Sequence, residues 1–277
     1  MWIALSNQTF ALSSTDQDGM LRFKSLGSGS SGNATVIQAR SESSLTHLLV
    51  DCGLGIRQLD ARLRQAGMLA EQIDAIFITH EHMDHIGCAR RLALRERIPV
   101  WMSHGTYTAL GEPDFDGLLR IACDAVVIEV GALQIRPFTV PHDAREPLQL
   151  TCTDGAARLG VLTDLGHATG HVLEQVAGCG TLLLECNHDA QMLAASAYPA
   201  FLKRRVGGAY GHLANFAAAE IARAVQSSGL KQVVAAHLSE SNNRPDLARQ
   251  ALAGALGCAA ADIHVADAAS GSGWLSC

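Results

Sequence analysis

With 277 residues, 48% hydrophobic and 17% charged, the chain carries enough apolar surface for a large core, which excludes an intrinsically disordered protein. No window approaches the roughly 18 consecutive apolar residues of a membrane span, and no basic-then-apolar leader opens the chain, so a soluble, cytoplasmic protein with no membrane partner is expected. A net charge of -6 argues against a protein that coats nucleic acid through a large positive excess, and eight cysteines without a CxxC pair fit reduced thiols better than a disulfide framework.

In chain order, residues 1–19 are polar and aperiodic and read as an appended, mobile leader, leaving 20–277 as one domain. Strands over Leu21–Leu26, Ala34–Ala39 and Thr46–Val50, parted by turns of Gly and Ser, form an antiparallel meander. Apolar positions Ile56, Leu59, Leu63 and Ala66 share one face of a helix that Gly67 ends, and a strand over Ile73–Thr79 follows. Further strands fall near Ala125–Glu129, Leu133–Val140, Leu148–Thr153, Arg158–Leu162 and Thr181–Leu184. A helix over Ala214–Ser227 then precedes a buried strand over Gln232–Ala236, and the Gly/Ser-rich tail after Ala266 reads as loose, with Trp274 as its anchor. Two strand-rich halves flanked by helices suit a four-layer αββα sandwich of the α/β class.

The chemistry concentrates where the strand over Ile73–Thr79 ends. His80, His82, Asp84 and His85 fall within six residues. Residues two apart at a strand end share a side, while the next two turn away with the first helical turn, so one short loop can feed two neighbouring metal ions. Imidazole and carboxylate suit zinc or manganese, with iron also possible, and the lack of a nearby cysteine pair argues against a closed structural zinc site. Arg90-Arg91 and Lys203-Arg204-Arg205 read either as solvated helix faces or as a basic rim.

The run His80-x-His82-x-Asp84-His85 after a buried strand resembles the HxHxDH hallmark of the metallo-β-lactamase superfamily. That resemblance implies a fold of αββα layers and three further ligands in order. His142 in Val140-Pro141-His142-Asp143, Asp164 in Leu162-Thr163-Asp164-Leu165 and His237 in Ala236-His237-Leu238-Ser239 match them. It groups His80, His82 and His142 around one divalent ion and Asp84, His85 and His237 around a second, with Asp164 between them, and gives Asp84 a part in orienting the nucleophile.

Several stretches further resemble the YycJ/WalJ-like group, relatives of the RNase Z and RNase J nucleases. They are Ser25-Leu26-Gly27-Ser28-Gly29-Ser30-Ser31-Gly32-Asn33, Val50-Asp51-Cys52-Gly53, Leu184-Glu185-Cys186-Asn187-His188-Asp189, Gly211-His212-Leu213-Ala214-Asn215 and His237-Leu238-Ser239-Glu240-Ser241-Asn242-Asn243. The likeness implies a nucleic acid substrate, DNA, cleaved at its phosphodiesters from the 5' end. Ser30, Ser31 and Asn33 then become candidate substrate contacts in a backbone nest for phosphate, although a tight turn under the metal site accounts for the same glycines. Asp51 resembles a buried aspartate that orients the His80 loop; an Asx turn before Gly53 is the other reading. Glu185 and His212 stand in the order of an RNase Z-like acid couple that protonates the leaving group, although Leu213-Ala214 replaces the hydroxyl residues usual there. His188 is either a substrate contact or, with Asn187, a cap of the following helix.

Only 73 positions separate Asp164 from His237 (237 minus 164), too few for the large inserted domain of RNase J-like enzymes. The rival readings are a thioesterase or lactonase of the glyoxalase II type, a small-molecule phosphodiesterase, and a silent scaffold on the same fold. The Glu185/His212 pair separates the first from a nuclease, because a thiolate leaves without a proton donor. His47, His104, His167, His171 and His264 lack a motif; only His104 and His167 lie near the expected site loops.

Overall fold

The computed structural model describes residues 21–41 and 44–277. The leader expected over residues 1–19 lies outside the described residues.

Fourteen strands among the described residues form two seven-stranded sheets. The first contains β1 (Leu21–Gly27), β2 (Ala34–Arg40), β3 (Leu45–Val50), β4 (Ala75–Phe77), β5 (Val100–Met102), β6 (Leu119–Ile121) and β14 (Leu275–Ser276), in the order β14-β1-β2-β3-β4-β5-β6. The second contains β7 (Ile128–Val130), β8 (Leu133–Thr139), β9 (Leu148–Thr153), β10 (Arg158–Leu162), β11 (Thr181–Glu185), β12 (Gln232–Ala236) and β13 (His264–Val265), in reverse chain order. In each sheet a meander of antiparallel strands gives way to parallel ones: β3 to β6 in the first, β10 to β13 in the second.

Alternation along the strands builds the layers. Leu48 and Phe77 of the first sheet meet Leu133, Leu150 and Val161 of the second in the core between them, while Leu49 and Ile76 face outward to helices. Strands buried on both faces need continuous apolar sequence, and Leu182-Leu183-Leu184 supplies it. Outside the first sheet lie α1 (Ile56–Gln65), α2 (Met83–Ile86), α3 (Ala89–Glu96) and α4 (His104–Ala109). The other outer layer gathers α5 (Gly170–Val176), α6 (Ala190–Ala195), α7 (Ala200–Val206), α8 (Asn215–Gln226) and α9 (Pro245–Leu256), with α5, α8 and α9 contributing Val172, Ile221 and Leu252 to its core. This is the expected αββα sandwich. In α1 the buried residues are Leu59 and Leu63, one turn apart, each worth ~1.5–3 kcal/mol of burial.

Three expectations need correction. The strand expected over Ile73–Thr79 narrows to Ala75–Phe77, because the Thr79 amide donates to the Asp51 carboxylate (2.9 Å) in place of a neighbouring strand. The helices α3 and α9 and the three-residue strands β5 and β6 escape the periodicity reading; α9 nevertheless opens on Pro245 and closes on Gly257 at φ 70, a proline-to-glycine frame that marks helix ends. The tail after Ala266 is not loose. Leu275 and Ser276 pair with Phe23 and Arg22, so the tail covers the β1 edge, and Trp274 Nε1 donates to the Ala66 carbonyl (3.2 Å).

Candidate metal centre

Parallel register places the centre. Leu162 stands beside Leu184, and Glu185 beside Ala236, so Asp164, Glu185 and His237 leave three neighbouring strands at the same carboxyl edge. On the facing sheet Val50 pairs with Phe77, which sends Asp51 and the Thr79–His85 loop off the corresponding edge. Ligands gather at such carboxyl ends because loops there converge. Gly53 permits the close approach: a Cβ at this position would overlap the carbonyl oxygen of Asp84.

Three side chains make the first cluster. His82 Nδ1 lies 3.0 Å from His80 Nε2 and 3.3 Å from His142 Nε2. The second nitrogen of His80 meets the Thr79 hydroxyl (3.0 Å), and that of His142 meets the Gly211 carbonyl (3.0 Å), so both rings turn Nε2 inward. In the second cluster, Asp84 Oδ2 stands 3.6 Å from His85 Nε2 and 3.5 Å from His237 Nε2. Asp164 lies between the two, 3.1 Å from His85 Nε2 and 3.2 Å from His237 Nδ1, and also forms a compact group with His80 and His85. Asp51, Asp164 and His237 all adopt left-handed backbone, at φ 61, 54 and 54, a costly conformation for residues other than glycine that concentrates at functional sites.

The donor set fits cations. Asp164 Oδ2 and His237 Nε2 are enclosed and make no well-aligned hydrogen bond, facing only the other candidate ligands His85 and Asp84, whereas buried polar groups are nearly always satisfied. Burial, reinforced by the charge of His85, holds His80 well below the ordinary imidazole pKa, so its lone pair is free. The opposite holds nearer the carboxylates: burial disfavours charge on His237, but Asp164, Asp84 and Glu185 outweigh it and push the pKa up to about 10. Negative charge that must recruit a proton there is charge a divalent ion balances.

Asp51 holds this loop, though not through the His80 ring. It accepts from the Thr79 amide and hydroxyl and sits 2.7 Å from His85 Nδ1. The Asx turn before Gly53 is absent; that amide donates to the Asn33 carbonyl. Glu185, fully buried, lies 2.8 Å from His212 Nδ1 and accepts from the amides of Leu165 (2.9 Å) and Leu213 (3.3 Å). Burial lowers the His212 pKa, but the Glu185 carboxylate more than compensates and the net shift is upward. A fourth group, Asp164, Glu185, His212 and His237, also converges.

The remaining candidates separate. Ser30 lines the cleft beside Asp84 and His237 from an exposed position, and Ser31 is exposed. Asn33 is buried with its side chain spent on Gly29, on the Asp84 carbonyl and at 3.1 Å from His85 Nε2. The amides of Gly29, Gly32 and Asn33 are likewise engaged within the protein, which favours the turn over an open nest. The following helix α6 is capped by Asp189, not by Asn187 or His188; Asn187 bonds the His237 carbonyl instead. His104 and His167 are exposed, the latter 2.8 Å from the Ala209 carbonyl. Two features escaped the sequence reading: Ser28 Oγ accepts from the His237 amide (2.7 Å), and Arg205 Nε reaches Asp143 (2.6 Å) at the cleft wall. The first was visible only as a serine in a glycine-rich turn, and the second as part of a basic run.

The sequence profile of the beta-lactamase superfamily domain matches residues 46–238. The chain is 31% identical over 236 residues to the exodeoxyribonuclease YycJ of Bacillus anthracis, covering 84% of this chain and 88% of that one. It is 30% identical over 250 residues to the exodeoxyribonuclease WalJ of Streptococcus pneumoniae, covering 88% and 90%. Among solved structures, the metallo-beta-lactamase fold protein YhfI from Bacillus subtilis superposes with a TM-score of 0.72 at 18% identity, covering 93% of this chain and 99% of that one. The chain therefore belongs to the metallo-β-lactamase superfamily of metal-dependent hydrolases, in its YycJ/WalJ-like group.

Proposed function

We propose that this protein hydrolyses phosphodiester bonds in DNA as an exonuclease working from the 5' end. The observation that carries this reading is the Glu185–His212 couple, 2.8 Å apart and 3.4 Å from Asp164 at the His212 end. A nucleoside alkoxide is a poor leaving group and needs a proton donor, whereas a thiolate does not. The names of the YycJ and WalJ relatives support DNA as the substrate.

In this reading His80, His82 and His142 hold one divalent ion, Asp84, His85 and His237 hold another, and Asp164 is shared. Zinc or manganese, or iron, bound there would acidify water and neutralise phosphoryl oxygens. Asp84 and Asp164 orient the attacking group from the floor of the cleft. Glu185 keeps the proton on His212 and fixes its ring through Nδ1, which leaves Nε2 to donate to the departing oxygen. Arg205 and Ser30 border the same cleft, where a cation and a hydroxyl suit a phosphate backbone. Eight free cysteines and the absence of any helix long and apolar enough to cross a membrane among the described residues suit a cytoplasmic location.

The test is to incubate metal-loaded protein with 5'- and 3'-labelled single- and double-stranded DNA and RNA. Mononucleotide release from the 5' end of DNA is expected. Hydrolysis of a thioester with intact DNA would refute the proposal.

A further inference from the structure

A second cavity, of about 390 Å³, adjoins the metal cleft. Helix α7 lies between them: Leu202, Arg205 and Val206 line the cleft, while Lys203, Arg204 and Gly207 line the cavity. His212 lines both. The size falls within the ~300–1,000 Å³ of small-molecule sites.

The walls have mixed chemistry. Leu193, Ala194, Ala214 and Ala217 give an apolar lining, and Phe216, a residue 64% exposed, stands at the edge. An aromatic face so exposed beside a cavity is open to stacking by a planar ligand. His188 is only 4% exposed, with its Nδ1 enclosed in the protein and its Nε2 the nitrogen placed at the cavity. Its Nε2 turns toward the Gly207 wall, 3.9 Å from where a Cβ on that glycine would stand. Burial holds this imidazole below its ordinary pKa, so the ring is neutral and offers one donor and one acceptor. Lys203 is tied to the Ala194 carbonyl, whereas Arg204 has no ion-pair partner among the described residues.

We propose that this cavity binds the nucleotide on the leaving side of the scissile phosphate. Its unpaired base stacks on Phe216 and hydrogen-bonds His188, and its next phosphate meets Arg204. A planar heterocycle joined to an anion uses the chemistry of the wall: an aromatic face, a polar imidazole ring and a guanidinium. The direction follows from His212, which borders both spaces and, in the nuclease reading on which this proposal rests, donates to the oxygen of that same nucleotide.

The test uses the purified protein with single-stranded phosphorothioate DNA, which resists hydrolysis and keeps the backbone charge, carrying 2-aminopurine at each terminal position in turn. Fluorescence quenching is expected at one position, with binding about tenfold weaker in Phe216→Ala, in line with the worth of a stacked base. Arg204→Ala is expected to weaken binding and flatten its salt dependence. In cleavage assays, an abasic unit at the quenched position and Phe216→Ala are expected to raise KM by similar, non-additive factors. No quenching, or equal affinity of wild type and Phe216→Ala, overturns the cavity proposal. Phe216-dependent quenching in a protein that cleaves no DNA would leave the cavity standing and remove the nuclease reading; DNA cleavage indifferent to Phe216 would do the reverse.

Discussion

Replacing His212 by alanine removes the proton donor proposed for the leaving oxygen while sparing the two clusters of three. The imidazole sits 2.8 Å from a fully buried Glu185 carboxylate, which raises its pKa and favours the protonated ring. Loss of a positioned general acid costs about 10²- to 10⁴-fold when the leaving group is an alkoxide. A nitrophenyl phosphodiester expels a stable phenolate and is expected to lose far less. Glu185 retains the Leu165 and Leu213 amides in the variant, so the protein is expected to fold, with a stability loss of ~1–3 kcal/mol from the vacated hydrogen bond. Steady-state rates on DNA and on the nitrophenyl ester, with elemental analysis of the same preparations, decide the matter. Glu185→Gln is expected to show the same selectivity, more weakly. Equal slowing of both substrates, or loss of a metal ion from His212→Ala, would refute the reasoning and move His212 among the ligands, as its convergence with Asp164, Glu185 and His237 allows.

Elemental analysis of purified protein is expected to find about two divalent ions per chain, because the candidate ligands fall into two clusters, with Asp164 in reach of His80 in one and His85 in the other; one ion with Asp84 and His237 free of metal would exclude the arrangement. Asp51→Ala should weaken metal affinity by about 10- to 100-fold in a chelator competition, since Asp51 fixes His85 and the Thr79 loop. Unchanged affinity would show that the loop holds itself. At the surface, the paired hydrogen bonds from Arg95 hold the Asp60 carboxyl below the usual range. A lowered folded-state pKa stabilises above the unfolded value of ~3.9 and is lost as pH falls through the folded value. The half-exposed pair is therefore expected to contribute under ~1 kcal/mol near pH 7. Denaturant melts of Asp60→Asn and wild type should differ by that amount at neutral pH and converge once the pH falls below the folded-state pKa of Asp60; a gap that persists in acid would assign the loss to packing.

Much of the centre was legible along the chain because its parts are local. His80, His82, Asp84 and His85 sit in one loop, and apolar strands directly precede His80 and His237. Strand alternation and helix spacing are likewise short-range properties, which is why β1 to β3, α1 and α8 stand close to where periodicity puts them. Short strands such as β5, with three residues, hold too little pattern to be recognised before their neighbours are in place.

What the sequence by itself determined was therefore the set of candidate ligands, the layered fold and the resemblance to one superfamily. The tertiary structure alone decided which of them meet. Asp164, Glu185 and His237 come together only through the register of β10 to β12, and Ser28 reaches the His237 amide across 209 positions of chain. The same holds for the cavity of Phe216, His188 and Arg204, whose residues come from α8, the loop after β11 and α7. The C-terminal tail gave no apolar period to read, yet it is fixed by the unpaired edge of β1, and an edge exists only once a sheet has formed. Contacts between distant segments depend on the positions of whole layers, and no local propensity encodes those positions.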